Sequence, residues 1–383
     1  AVTRRLFRPA GGLCFMRAHS RFKRTCVQLL KIAASVAILA WLVWDSVRRG
    51  EGLFSDEHGF QPEKLWALVR HAVDNWLILL LAFICAFASV MITFIRWWLL
   101  IRSVGVPISL RESLRFSFVG YLLNLAPMGI VGGDLAKAVL VARHCPEHRA
   151  PSVASVFVDR VVGLYVLLLV ASGAILLTNF HATGPAIVQS ACRLTLVVSV
   201  LGTIVLLLVW APDWTGGRVR RLWEKLPVVG RPIARFTEAF RAYGREPGTL
   251  LLSLVMTLPV HLLFAIVVFL VGTALFPKVH SLDRHFVFAP LAGVMQVLPI
   301  SVGPAEFVLD RLFVLTPTAD GSIIPPGQGL VTLLVYRVFN LLISTVGVVY
   351  FLMSREEWRE ALHEVEEVEE PPSDLEIEVP KTS

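Results

Sequence analysis

Two arginines stand inside long apolar stretches of the sequence, where a charged side chain is costly. Arg160 lies in the segment Val158–Leu164, and Arg337 lies in the segment Val335–Leu341. At a rise of 1.5 Å per residue, about eight residues of helix place each guanidinium about 12 Å deep in a bilayer core about 30 Å thick. An arginine at that depth costs about 2.5–3.5 kcal/mol on insertion scales, so each should face a partner or a water-filled cavity. Because a guanidinium binds phosphate oxygens through two parallel hydrogen bonds, the pair indicates a site for an anionic phosphate.

Two acidic residues follow prolines at the same spacing. Asp134 comes seven residues after Pro127, and Glu306 comes seven residues after Pro299. Each acid stands where a helix should resume after a break in an apolar stretch. Three roles are open for it at this position: a helix cap, a partner for an arginine, or a proton carrier.

The acids and the arginines suggest salt bridges inside the helix bundle. Arg160 would pair with Asp134 or Asp159, and Arg337 would pair with Glu306. A structural salt bridge and a direct role in ligand binding are compatible, because such a bridge can open for a ligand.

Small and polar residues near the same breaks could also contact a headgroup. Gly132 and Gly133 would let a headgroup approach the backbone closely, and the amides of a helix start favour an anion. Asn124, Ser301 and Asn340 could hydrogen-bond a headgroup or bond across helices. The candidate substrate-binding residues are Asn124, Gly132, Gly133, Asp134, Asp159, Arg160, Pro299, Ser301, Gly303, Glu306, Arg337 and Asn340.

No pattern in the sequence predicts a catalytic residue, a metal site or a cofactor. The sequence has no H-E-x-x-H or G-x-S-x-G motif, and its five cysteines are scattered. Arg96 is followed by Trp97 and Trp98, which is typical of an aromatic belt at the membrane interface and not of a site.

The elements that must position these residues are transmembrane helices. The chain is 55% hydrophobic and only 17% charged, and its apolar residues fall in blocks long enough to cross a bilayer. We expect an all-α polytopic membrane protein with about six full spans and two re-entrant hairpins. The predicted spans are Cys26–Trp44, Asn75–Leu100, Ser152–Leu177, Cys192–Trp210, Leu250–Phe276 and Gly329–Met353.

Two further apolar stretches, Leu114–Val141 and Phe286–Leu315, are broken near their centres by proline and glycine. Each half can reach the middle of a membrane and return but is too short to cross it. Irregular backbone at that depth must be buried in protein or line a wet cavity. The pattern therefore predicts two re-entrant helical hairpins, and two kinked spans are the alternative.

The order of span, broken hairpin and arginine-containing span occurs twice along the chain. If both hairpins are re-entrant, the two copies have opposite topology, which is the architecture of many secondary transporters. Chance similarity is the alternative, because Val-x-Arg-Val is a short match in a valine-rich chain.

The net charge of +7 comes mostly from basic residues in the segments between the apolar blocks. Lys137, Arg143 and Arg149 after the first hairpin belong to this set. Such residues set orientation and contact anionic headgroups, so we expect no nucleic-acid partner and both termini on the cytoplasmic side of the cytoplasmic membrane. We divide the chain into a basic N-terminus (1–25), a transmembrane domain (26–354) and an acidic disordered tail (355–383). Within the domain, the loop 211–248 should lie in the membrane interface.

Two motifs resemble a known family of membrane proteins. The segment from Pro127 to Lys137 contains Gly-Gly-Asp134, and the Asp159-Arg160 element follows it. In this the chain resembles the transmembrane region of lysylphosphatidylglycerol synthase, the flippase-like domain family. The second family motif corresponds here to Pro299, Ser301, Gly303 and Glu306, followed by Arg337, although Pro304 and Ala305 stand where the family tends to have glycines.

The resemblance implies lipid handling. We expect a stand-alone member of the family, without the soluble aminoacyl-transferase domain and its synthase activity. The leading hypothesis is a translocase for an anionic lipid or a lipid-linked glycan in cell-envelope biogenesis, with a phospholipid or polyprenyl phosphate as its membrane partner. One alternative is a non-catalytic partner subunit of an envelope glycosyltransferase or lipid-modifying enzyme. An enzyme acting on lipids inside the membrane is a further alternative.

Overall fold

A computed structural model describes residues 33–45, 55–56, 59–125, 130–210, 243, 246–298, 300 and 302–353. In the first half, α1 to α8 span Ala33–Asp45, Pro62–Asp74, Trp76–Ser103, Leu110–Leu125, Ile130–His144, Arg149–Leu177, Phe180–Thr183 and Ala186–Trp210. In the second half, α9 to α12 span Pro247–Leu275, Leu282–Val294, Pro304–Leu315 and Gln328–Met353. Single 3₁₀ turns, Pro146–His148 and Met295–Val297, precede α6 and follow α10.

Among the described residues, five helices are long and apolar enough to cross a membrane. They are α3, α6, α8, α9 and α12, and each contains or closely matches one of the predicted spans. Most of them begin a few residues before the apolar run, because polar residues such as those of Arg149–Ser152 are accommodated in a first turn near the surface. The remaining predicted span, Cys26–Trp44, is described from Ala33 onwards as the apolar helix α1. The chain is therefore an all-α polytopic membrane protein.

The two broken stretches form helical hairpins. In the first, α4 and α5 have 16 and 15 residues and pack on each other, and in the second, α10 and α11 have 13 and 12 residues and do the same. At 1.5 Å per residue none of these helices exceeds about 24 Å, which is less than the thickness of a bilayer core. The break before α11 includes Gly303 at φ +116°, a conformation that favours glycine.

The packing of the helices has a two-fold pattern. The helices α3, α4, α5 and α6 form one unit, and α9, α10, α11 and α12 form a second unit in the same order. Each contact between helices named below has a counterpart between the corresponding helices of the other unit. Thus α4 packs on α12 while α10 packs on α6, and α5 packs on α6 while α11 packs on α12. The paired helices α3 and α9 contact each other at the centre of this pattern.

The central pair is antiparallel. The Ser89 hydroxyl of α3 donates to the Val260 carbonyl of α9 over 3.3 Å. About two turns further along α3, Arg96 donates to the Thr257 hydroxyl of α9 over 2.7 Å. Residue numbers therefore rise along α3 while they fall along α9. These two helices, which occupy corresponding places in the two units, therefore run in opposite directions.

Helix α1 breaks the two-fold pattern because it lies on the second hairpin. The ring of Trp41 packs on the ring of Phe307 in α11 with centroids 5.5 Å apart. Arg311 of α11 forms an ion pair with Asp45 at 2.6 Å and lies over the Trp41 ring at 5.2 Å. These contacts hold α1 against α11 of the second hairpin.

The smaller elements of the fold were not predicted from the hydrophobic pattern. These are the amphipathic helix α2, the short helix α7 and an antiparallel pair of two-residue strands, β1 (Ser55–Asp56) and β2 (Gly59–Phe60). The basic N-terminus, the acidic tail and nearly all of the loop 211–248 lie outside the described residues, and the predictions for them stay predictions.

Candidate functional site

An ion pair connects Asp134 of the first hairpin to Arg160 of the following helix α6. Arg160 Nε lies 2.5 Å from Asp134 Oδ2, and Arg160 Nη2 donates to Asp134 Oδ1 over 2.6 Å. Arg160 is well inside the 29-residue helix α6, about 16 Å from its start at 1.5 Å per residue. About half of its side chain is exposed (52%), against 16% for Asp134. Of the two acids predicted as partners of Arg160, Asp134 is the one that it contacts, and part of the Arg160 side chain is exposed at the protein surface.

The corresponding pair connects Glu306 of the second hairpin to Arg337 of the following helix α12, and it is more deeply buried. Arg337 Nε donates to Glu306 Oε1, and Glu306 Oε2 accepts the Gly303 amide over 2.8 Å. Glu306 is completely buried, and a quarter of the Arg337 side chain is exposed. Glu306 thus acts as a helix cap and as an arginine partner at once, while a role as proton carrier stays a prediction.

A hydrogen bond between tyrosine and asparagine joins the two units. Tyr121 of α4 donates its hydroxyl to Asn340 Oδ1 of α12 over 2.8 Å. Tyr121 is in electrostatic range of Arg160 and of Tyr336, which directly precedes Arg337. Neither tyrosine was among the predicted site residues, although alignment of the repeat places Tyr336 opposite Asp159. The two units are therefore joined by a polar contact between α4 and α12.

Asn124 ties the two helices of the first hairpin together. Its Oδ1 accepts the Gly133 amide over 3.1 Å, and its Nδ2 donates to Asp134 Oδ1 over 3.4 Å. Gly133 is buried and packs so closely on α4 that a Cβ atom would overlap the Gly120 carbonyl. Of the two uses foreseen for Asn124 and Asn340, bonding between helices is the one observed.

Arg96 is a buried ion-pair residue, and its assignment to an interfacial belt was wrong. Arg96 Nε donates to Asp159 Oδ1 over 2.9 Å, with both side chains less than a tenth exposed. Arg96 also donates to Thr257, so it joins α3, α6 and α9. Asp159 is consequently the partner of Arg96 and not of Arg160. The depth argument used for Arg160 does not find Arg96, because Arg96 lies close to the end of the predicted span Asn75–Leu100 and precedes two tryptophans that are typical of the interface.

Lys137 is also buried, although its position near the loop suggested an exposed cytoplasmic residue. Only 7% of it is exposed. Its Nζ lies 3.4 Å from the centroid of the Trp97 ring, which is a close cation–π contact. It is in electrostatic range of Asp134, Asp159 and Arg160. The signal that could have found it is its spacing of three residues from Asp134 on one helix.

Some predicted site residues are only partly placed. Pro299 and Ser301 lie outside the described residues, and Gly132 lies in the first turn of α5. Gly303 is buried against Ile38 of α1. Within the described ranges, no three His, Cys, Asp or Glu side chains come together as metal ligands would.

A family model described as the lysylphosphatidylglycerol synthase TM region matches residues 28–347. The chain belongs to this family. The matched range includes both hairpins, both arginine helices and the central pair α3 and α9. A comparison with curated proteins finds no match. Family membership and the apolar helices make the chain an integral membrane protein, and the family indicates a lipid-related role in the cell envelope.

Proposed function

We propose that this protein is a translocase that moves an anionic lipid or a lipid-linked glycan across the cytoplasmic membrane. The observation that carries the proposal is a pair of arginine–carboxylate contacts at corresponding positions of the two units. Arg160 contacts Asp134 in the first unit, and Arg337 contacts Glu306 in the second. Sites at broken helices between inverted repeats are where secondary transporters bind their substrates.

The first ion pair is suited to exchange its carboxylate for a phosphate. Asp134 contacts Arg160 through two oxygens, which is the geometry in which a phosphate would also bind. The exposed guanidinium shares a helix face with Val153 and Phe157, which are nearly half exposed. An acyl chain lying along these apolar side chains would bring its headgroup to Arg160.

In the proposed mechanism, transport breaks and re-forms the hydrogen bond between the two units. Rocking of one repeat against the other would change the distance between α4 and α12, which the Tyr121–Asn340 bond now fixes. A headgroup with hydroxyls could replace that bond while its phosphate contacts Arg160. The tails would stay in the bilayer throughout.

The family supports a lipid substrate, since it is the family of the transmembrane region of lysylphosphatidylglycerol synthase. In the orientation that we propose, both termini are cytoplasmic, the first hairpin opens to the cytoplasm and the second opens to the outside. The translocation itself requires no covalent step. A partner enzyme of envelope synthesis would supply or consume the lipid.

Transport by the reconstituted protein tests the proposal. Proteoliposomes carrying headgroup-labelled phosphatidylglycerol would be assayed for label that becomes accessible to a membrane-impermeant quencher. We expect Arg160→Gln to lower the transport rate at least tenfold, because the neutral amide cannot hold a phosphate in place of Asp134. Arg193→Gln is the matched control, since Arg193 is on α8 and contacts Gln189 over 3.1 Å at the exposed surface.

The double variant Arg160→Gln/Asp134→Asn separates folding from transport, because it removes both charges of the pair. We expect it to fold like the wild type and to remain inactive. Full transport by Arg160→Gln at normal expression would refute the proposal. A stable wild type that moves no lipid but captures an envelope transferase would favour the role of a partner subunit.

A further inference from the structure

Helix α2 lies across the end of α9. The His71 imidazole donates from Nδ1 to the carbonyl oxygen of Ala274, the penultimate residue of α9, over 3.0 Å. Leu68 and Ala72, on the same side of α2, pack against the hydrophobic cluster that α3 shares with α9. Only Asn75 separates α2 from α3. One side of α2 is therefore fixed to both members of the central pair.

The other two sides of α2 are exposed and differ in polarity. At 3.6 residues per turn, four apolar side chains fall within an arc of about 100°. Their exposed fractions lie between 42% and 71%, and together they form what we call the interfacial stripe: Leu65, Trp66, Val69 and Val73. The adjoining arc is polar and contains two exposed acids and two exposed bases, which are Glu63, Asp74, Lys64 and Arg70. An apolar stripe beside a charged face is typical of a helix that lies in a membrane interface.

The interfacial stripe is followed along the chain by the apolar surface of α3. The first turns of α3 expose five large apolar side chains, Trp76, Leu77, Leu80, Leu81 and Ile84. Helix α3 has 28 residues and is about 42 Å long at 1.5 Å per residue, so its ends extend beyond a bilayer core about 30 Å thick. The Trp76 end therefore reaches the headgroup region, where tryptophan is enriched. Helix α2 starts from this depth and adds a second exposed tryptophan, Trp66.

We propose that the interfacial stripe is a membrane-contact surface, which inserts into the boundary between headgroups and acyl chains. It lies at the end of the bundle where α9 ends. The second hairpin opens at the same end, because α10 begins at Leu282, shortly after α9 ends at Leu275. The surface is separate from the arginine–carboxylate pairs and does not depend on lipid transport.

The partner of this surface is the bilayer and not a soluble protein. A protein that covered the interfacial stripe would adjoin the exposed face of α3, and from Leu77 to Ile84 that face descends into the membrane. Only lipid can contact both surfaces without a break. A soluble partner would leave part of the apolar patch against water, which is unfavourable.

The charges of α2 indicate that the contact is apolar in origin. Glu63 and Asp74 offset Lys64 and Arg70 on the polar face, so anionic headgroups gain little from approaching it. Insertion then depends on the apolar area of the stripe and not on the charge of the lipid. Because α2 is fixed to α3 and α9, its insertion sets the depth of the central pair in the bilayer.

Spin labels on two adjacent residues test the proposal in nanodiscs. Val69→Cys and Arg70→Cys are made separately in the full chain with its five native cysteines replaced by alanine. Both positions are exposed, but Val69 belongs to the interfacial stripe and Arg70 to the polar face, so each is the matched control of the other. Relaxation by oxygen, which concentrates in the bilayer, is compared with relaxation by a water-soluble nickel chelate. The nanodiscs contain phosphatidylcholine alone or a mixture with phosphatidylglycerol.

Tryptophan fluorescence gives a second measurement that keeps the native cysteines. The difference between the wild type and Trp66→Phe isolates the emission of one of the ten tryptophans. We expect phosphatidylcholine brominated high on its acyl chains to quench this emission and aqueous iodide to leave it nearly unchanged. Quenching by iodide alone would overturn the proposal even if the cysteine-free chain did not fold.

For the spin labels, we expect the ratio of oxygen to nickel relaxation to be several-fold higher at position 69 than at position 70, with the same values in both lipid mixtures. Three results would overturn the proposal. Nickel access to both labels would place α2 in water. A label at position 69 that neither reagent reaches would indicate a protein contact, such as a second copy of the chain. Insertion only in the presence of phosphatidylglycerol would show that headgroup charge, and not the apolar stripe, holds the helix.

Discussion

Two arginine–aspartate pairs lie one residue apart on α6 and differ in what surrounds them. The Arg96–Asp159 pair is almost fully buried and connects three helices. The Arg160–Asp134 pair is bidentate, but half of its arginine is accessible. We assign the first pair to holding the bundle together and the second to contacting a substrate.

Removing one charge from each pair should distinguish these roles. Asp159→Asn leaves the Arg96 charge buried without a counterion, so we expect a loss of about 3–5 kcal/mol in the free energy of unfolding. Asp134→Asn should lose much less, because about half of the Arg160 side chain is exposed, against 4% for Arg96. Thermal unfolding in detergent, with denaturant titration where it is reversible, measures both. Similar losses for the two variants would contradict the assignment.

The sequence predicted that Arg337 pairs with Glu306 and that Arg160 pairs with Asp134 or Asp159, and the structure selects Asp134. It did not reveal the partner of Asp159, since Arg96 is 63 positions earlier and on another helix. Such a contact depends on how α3 crosses α6, and no local pattern encodes that crossing. Lys137 was misplaced for a related reason, because a basic residue near a loop is usually exposed.

At the scale of the elements, the first hairpin depends on a close approach of α4 and α5. Gly133 faces the Gly120 carbonyl and the Asn124 side chain at distances that leave no room for a methyl group. This contact also brings the Gly133 amide to Asn124, so packing and polar contacts at the tip of the hairpin are coupled.

Gly133→Ala should therefore separate the two helices of the hairpin. We expect a loss of about 1–3 kcal/mol in the free energy of unfolding, as for other overpacked sites, together with weaker substrate binding. Gly173→Ala is the control, because a Cβ atom there meets nothing within 4 Å and alanine is the better helix former. Thermal unfolding of both variants decides the matter, and a Gly133→Ala protein as stable as the control would refute the close packing.

Hydrophobic runs were sufficient to predict the long helices and the two hairpins, because span length and proline breaks follow from the bilayer and the backbone. The same rule could not find α2, whose apolar residues occupy only one face. Nor could it show that α1 lies on the second hairpin. That contact joins Trp41 and Asp45 to Arg311, which is 266 positions after Asp45.

At the scale of the whole molecule, the antiparallel pair α3 and α9 forms the centre about which two opposed units are arranged. Each unit has its own hairpin and arginine helix, and α4 and α10 each pack on the arginine helix of the other unit. Relative motion of the units must therefore change the contact between α4 and α12, where Tyr121 bonds to Asn340.

Fixing that contact should stop transport. We expect the double variant Tyr121→Cys/Asn340→Cys, joined by a short bifunctional thiol reagent, to bind lipid but to translocate it at least tenfold more slowly. Cross-linking Trp41→Cys to Phe307→Cys is the control, because α1 and the second hairpin already form one packed group. Transport that persists across the Tyr121–Asn340 cross-link would exclude rocking of the two units.

The contact between α1 and the second hairpin also has a consequence for biosynthesis. Asp45 and Arg311 are 266 positions apart. At a synthesis rate of about 5–20 residues per second, Arg311 emerges roughly 13–53 seconds after Asp45. During that interval α1 is in the membrane before the surface that it will cover has been made. The ribosome must therefore extend the chain past Arg311 before α1 can settle on the second hairpin, so the order of insertion and the order of assembly are opposite for this element.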